Sequence, residues 1–340
     1  MPYLTGVANS YADLRTALVA GLVANGWAQT GEILHKGGAY LAVESRETFG
    51  AGNNTSDGLT FQGGTGIDSG ALLNPSAARP RLGRGRSIDA EVSWPVEYHI
   101  HIHAAPDEVY VLVRFNVDFW TWAAFGVSST PDLGGSGMWI TGQNSRERNH
   151  SDGTQPALGR YALTLTEGGV PYGTSWYYAA TPGAPFWETG WATNNVRHAD
   201  FVSCAMHCKL DAAMTVQWAG YRPPSGGVGA QIVGAPWYAA PLLGRLPNAW
   251  NSESVLLPMQ VYMWRPESKV SLVLDAAHAR YTRIDNYEPG EVFEIGPDRW
   301  KAYPFIRKNT AARDAGPFIA SSSGITHSGT LGWAIRYDGA

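Results

Sequence analysis

Charge is scarce in this sequence: Asp, Glu, Lys and Arg make up 16% of its 340 residues, and the formal net charge is −4. A nucleic-acid binder needs a basic face to neutralise phosphates, so this balance argues against that class. The one basic concentration, Arg79, Arg81, Arg84 and Arg86, lies in a Pro/Gly-rich stretch. It reads as a solvated loop or subunit contact in preference to a phosphate site. Cysteine is nearly absent. Cys204 and Cys208 are the only two, and their spacing suits one face of a helix but no disulfide framework, so both are expected reduced and buried.

No apolar run approaches the roughly 18 residues of a membrane-spanning helix. The opening Met1-Pro2-Tyr3-Leu4-Thr5-Gly6 lacks a basic stretch followed by an apolar one. The expectation is a soluble chain made in the cytosol, with no membrane span. Catalytic signatures are missing too. There is no Gly-x-Ser-x-Gly elbow, Gly134-Gly135-Ser136-Gly137 having the wrong spacing, and no phosphate loop, Gly64-Thr65-Gly66 leading into further turn residues. No repeat of fixed period appears, which disfavours propellers and solenoids. A carboxylate pair of the glycosidase kind is a spatial property that sequence does not reveal, but the solenoid repeats usual in depolymerases are absent. No enzyme activity is expected.

What the chain has in quantity is glycine, proline and tryptophan, 40, 21 and 14 residues, with 44% hydrophobic residues. That is enough for a large core in a turn-rich, sheet-rich chain. Residues 10–25 carry the clearest helix signal, with Ser10 as N-cap, Asp13 three residues on, Leu14, Leu18 and Leu22 on one face, and Gly26 as the stop. Ile33–His35 and Ala39–Val43 then flank Lys36-Gly37-Gly38, a hairpin signal. Helix and hairpin form an entry unit.

From Thr48 to Arg86 turn residues dominate, broken by Leu59–Phe61 and Ala71–Leu73, so loops with at most short strands are expected there. Val96, Tyr98, Ile100 and Ile102 alternate with Glu97, His99, His101 and His103. Pro106-Asp107-Glu108 interrupts before Val109–Phe115, and the two runs read as an antiparallel pair whose second strand is central and buried. Ala199–Leu210 is ambiguous between helix and strand, and Val255–Leu274 is strand-like. The fold expected is mainly β, a β-sandwich or barrel-like core with a short N-terminal α+β helix-hairpin unit. The division expected is 1–87 for that unit and the Gly/Arg-rich loops, and 88–340 for a β-rich domain with an extended C-terminal docking segment.

The sharpest chemical candidate is His99, His101 and His103, three imidazoles on one strand face. Alternate histidines bind Zn or Fe when further ligands converge, yet one strand rarely supplies three ligands to one ion. The expectation is no metal and no cofactor, the three rings lining a half-exposed sheet face or a subunit contact. Cys204, His207 and Cys208, with His198 upstream, form a second cluster, but no second ligand pair follows at zinc spacing. Trp176-Tyr177-Tyr178 and Trp237-Tyr238 are candidate interaction residues.

Three blocks together resemble the minor structural proteins of tailed-bacteriophage virions. They are the helix with Gly26-Trp27 and the hairpin; the run Tyr98–Ile102 through Asp107-Glu108-Val109 to Phe119-Trp120-Thr121-Trp122-Ala123-Ala124-Phe125-Gly126; and Trp300–Phe305 with His327–Asp338. The resemblance implies a virion protein of the tail tip or baseplate, made in the cytoplasm of the bacterial host. It implies three- or six-fold homo-oligomers among other tail proteins, and no catalytic motif. In such an assembly the His-x-His run could surround an ion on a threefold axis. The alternative is a receptor-binding module for a host surface glycan or pilus, using the aromatic residues between 168 and 250.

Overall fold

The computed structural model describes residues 2–47, 58–76, 79–83, 92–145, 148–149, 155–156, 185–186, 204–210, 217–219, 232–234, 255–265, 269–284, 286–305, 308 and 331–339. They form three large antiparallel sheets, two small two-stranded ones and one helix, joined by turns. The first sheet has seven strands, in the order Tyr3–Ala8, Val96–His103, Glu108–Phe115, Phe119–Val127, Met138–Gly142, Cys204–Cys208 and Gln217–Ala219. The second has six: Asn144–Ser145, Pro80–Leu82, Gly58–Gly64, Ala39–Arg46, Ile33–Lys36 and Ala28–Thr30. The third also has six: Ile232–Gly234, Leu257–Arg265, Lys269–Arg283, Leu331–Arg336, Asp298–Pro304 and Val292–Ile295.

The first sheet is the middle layer, because residue alternation gives it two apolar faces. On one face Phe125 meets Phe61 of the second sheet and Trp27, with ring centroids 5.9 and 5.7 Å apart. On the other, Trp122 meets Trp333 and Phe305 of the third sheet at 5.1 and 6.2 Å. Trp120, Trp122, Trp139 and Trp333 are fully buried. The mainly β, sandwich-like expectation holds, with a third layer added.

The helix spans Tyr11–Ala24, and Ser10 caps it by accepting the Asp13 N–H on Oγ at 3.0 Å. Leu14, Leu18 and Leu22 are buried, as their spacing required. The end is set by Gly26 at φ 84°, after which the Trp27 N–H reaches back to the Leu22 carbonyl at 3.1 Å. Gly21 faces Leu4 so closely that an added Cβ would lie 2.3 Å from its Cδ1, which fixes the helix against the first sheet. The hairpin also forms as expected, Lys36 pairing with Ala39.

Four features depart from the sequence reading. The chain opens with a strand, Tyr3–Ala8, ahead of the helix, paired along its length with Val96–His103. Gly58–Gly64, read as loop with a short strand, is a seven-residue strand inside the second sheet. Its glycines are needed there: a Cβ at Gly63 would strike the Trp218 ring at 2.5 Å. Arg81, expected in a solvated loop or subunit contact, is only 1% exposed within the strand Pro80–Leu82. Cys204–Cys208 is a strand with all five residues buried, so the two thiols share a strand face and not a helix face. Burial pushes the Cys208 thiol up to about 12.

The position near residue 87 is crossed in both directions. Tyr3–Ala8 joins the sheet of the later residues, and Asn144–Ser145 joins Pro80–Leu82 in the second sheet. Leu331–Arg336 is an inner strand of the third sheet with Gly332 to Ile335 buried. No described helix is long and apolar enough to cross a membrane.

Candidate functional site

Strand alternation places His99, His101 and His103 on the face of the first sheet that meets the third. Register sets Leu112, Tyr110 and Glu108 beside them on one neighbour, and Thr5 and Tyr3 beside His99 and His101 on the other. The rings are not half-exposed: His99, His101 and His103 keep 7%, 2% and 2% of their surface. The third sheet lies over them, contributing His278, Lys301 and Tyr303.

His99 Nδ1 lies 2.6 Å from Tyr3 Oη, and its Nε2 lies 3.2 Å from Glu97 Oε1. A carboxylate only accepts, so the neutral ring carries its proton on Nε2 and receives the Tyr3 hydroxyl on Nδ1. Its face stacks on Trp120 at 5.5 Å. His101 Nε2 is 3.0 Å from Tyr303 Oη. From His101 a parallel column of imidazoles crosses between the sheets. His103 lies 6.2 Å from His101 with 5° between planes, and His278 lies 4.3 Å from His103 with 7°.

Burial disfavours the charged form of every ring in this column. It lowers His99 to about 4, helped by Lys301 and Arg114. It holds His101 well below the ordinary histidine value, with His103 adding to the effect. His103 falls to about 3 through burial and His278, and His278 to about 4 through burial and Arg336. All four are neutral at physiological pH. At the outer end Lys301 Nζ sits 3.9 Å over the Tyr3 ring and 4.7 Å over Tyr337, a cation held by two aromatic faces.

Glu108 anchors the inner end. It is 0% exposed, and its carboxylate accepts the Tyr110 hydroxyl at 2.7 Å and the backbone N–H groups of Ala277 and His278 at 2.9 and 3.0 Å. Those amides are free to turn toward it because Lys269–Arg283 bulges. Asp275 pairs with Gln260 and Arg280 with Pro258, so Ala276 to Ala279 stand opposite Met259 alone. The same bulge lays His278 on His103. Burial raises the Glu108 carboxyl above its ordinary value, against the three hydrogen bonds, which lower it.

A second constellation lies at the other end of the first sheet. His207 Nδ1 is 3.0 Å from the Ser136 N–H and 3.1 Å from its Oγ, while Nε2 faces the Asn74 side-chain amide at 3.4 Å. It has the membership of a nucleophile-base pair. The backbone N–H of Ser136, however, points at the same nitrogen lone pair that would take the hydroxyl proton, so the ring fastens the Gly134–Gly137 turn to the strand edge. Trp218 covers it, ring centroids 5.4 Å apart.

Among the described residues no group of three or more His, Cys, Asp or Glu is arranged to hold a metal ion. The three strand histidines project in parallel, whereas ligands must converge to about 2 Å from one ion. Trp176, Tyr177, Tyr178, Trp237 and Tyr238 lie outside the described residues, as do His198, Arg84 and Arg86. Sequence reasoning found the histidine strand but missed its partners Tyr3, Glu108, His278, Lys301 and Tyr303. In the sequence Glu108 reads as part of the interrupting turn, and nothing marks a bulge at Ala276–Ala279. No protein-family model matches this chain, and no curated protein matches it.

Proposed function

We propose that the protein is a structural component of a tailed-phage virion, seated in the tail tip or baseplate and assembled there as a three- or six-fold homo-oligomer. The observation that carries the reading is where the three resembling blocks meet. The helix packs on one face of the first sheet beside Leu4 and Ile102, Trp27 packs on the same face through Phe125, and Phe305 and Trp333 pack on the other through Trp122. The residues that carry the resemblance are thus the contacts of one three-layer core.

The histidine strand supports the same reading. Its rings are enclosed between layers against Tyr, Trp and His side chains, so the residues richest in chemistry serve as packing. The test is a nonsense mutation in the gene of the phage that encodes the chain, with quantitative mass spectrometry of purified wild-type particles. Particles with defective tails, and wild-type copy numbers in multiples of three, are the expected result. Absence of the protein from wild-type particles overturns the proposal. Purified protein that blocks adsorption of the phage to its host assigns it to receptor binding instead.

A further inference from the structure

The histidine column crosses the interface of two sheets next to the Glu108 hydrogen bonds to Ala277 and His278, and the carboxylates around it are already engaged. On its own strand the only carboxylate is Glu97, engaged by His99 at 3.2 Å and by Arg114 at 3.5 Å. On the adjacent strand Glu108 is already filled by Tyr110 and two backbone amides. Tyr3 faces the column from the N-terminal strand. From the third sheet come Arg280, Lys301, Tyr303 and Arg336, followed by Tyr337 and Asp338; Asp338 favours the charged form of His278 and lies 3.8 Å from Arg336 Nε. A proton added to His103 or His278 would place positive charge against a parallel imidazole 4.3 Å away, among cations.

We propose that the stacked histidines form an acid-sensitive lock, which holds the first and third sheets together while the rings are neutral and releases the third sheet when they are protonated. This goes beyond the virion reading and does not depend on it. The direction follows from linkage. In the closed seam His103 and His278 titrate at about 3 and 4, and in an opened seam they return toward 6.5. A depressed closed-state value means that stability is fully present above 6.5 and is lost progressively as pH falls toward the closed-state values. Each ring then favours opening by roughly tenfold per pH unit across that window, so two rings give roughly a hundredfold per unit.

Lock opening differs from global acid denaturation in where it begins. Backbone hydrogen exchange of the whole protein, corrected for its intrinsic pH dependence, reads both regions at once. The expected result is that segments around Val96–His103, Lys269–Arg283 and Asp298–Pro304 lose protection at a higher pH than Ala39–Arg46 and Gly58–Gly64 of the second sheet. In the H103F/H278F variant, which keeps two stacked rings but no proton site, the seam should open at least one pH unit lower. Should that variant not fold, H278F alone is expected to give about half the shift. The proposal is overturned if all segments open together, or if the folded variant opens at the wild-type pH.

Discussion

Removal of the Glu108 carboxylate tests the join between the first and third sheets. In Glu108→Ala three buried donors lose their acceptor: the Tyr110 hydroxyl and the amides of Ala277 and His278. Each buried donor left unsatisfied costs about 1–3 kcal/mol, a gross loss of about 3–9 kcal/mol. Relief from holding a carboxylate away from water returns part of this, of the order of a few kcal/mol. The expected net loss is about 2–5 kcal/mol, read from urea unfolding followed by tryptophan fluorescence. Glu108→Gln keeps the shape but aims an N–H₂ group at donors, so an intermediate loss is expected. The sign of the pH dependence is a second check. The folded-state value is raised, so the wild type's advantage over Glu108→Gln is greatest below the ordinary carboxyl value and shrinks as pH rises through the folded one. A loss in Glu108→Ala below about 1 kcal/mol, or a wild-type advantage that grows with pH, would refute the role given to this residue.

Leu18 is completely buried, so Leu18→Asp should cost at least about 4 kcal/mol; an unchanged melting temperature contradicts the assigned helix face. Cys204 and Cys208 are buried, and burial pushes the Cys208 thiol up to about 12. Neither should react with iodoacetamide in the folded protein at mildly alkaline pH, and labelling should follow unfolding; rapid native labelling contradicts this. Val117 is 81% exposed at a hairpin tip with φ 71°, a conformation costly for a β-branched residue. Val117→Gly should raise stability by up to about 1 kcal/mol, and a lowered melting temperature tells against strain at that turn.

The parts of the fold written in local pattern were legible. Ser10, the three leucines and Gly26 define the helix because caps and periodicity act within a few residues. Val96–His103 and Val109–Phe115 announce a buried pair by alternation and by an unbroken apolar run. What escaped depends on distant residues. Tyr3–Ala8 is short and half polar, and only pairing with Val96–His103 makes it a strand. Gly58–Gly64 resembles a loop because its glycines are read as turn residues, whereas Gly63 makes room for Trp218 and Gly64 for Leu72. The histidines were visible, but their burial was not: it comes from a third layer whose contact residue His278 sits in a bulge between alanines.

The central proposal, that this chain is a tail component, is most directly tested by a cryo-electron microscopy map of the intact tail of a phage that carries its gene. The account predicts density for the three-layer fold, repeated three or six times about the axis near the tail end, with the helix layer and the third sheet on opposite sides of the middle sheet. A complete tail map with no density for this chain would contradict it.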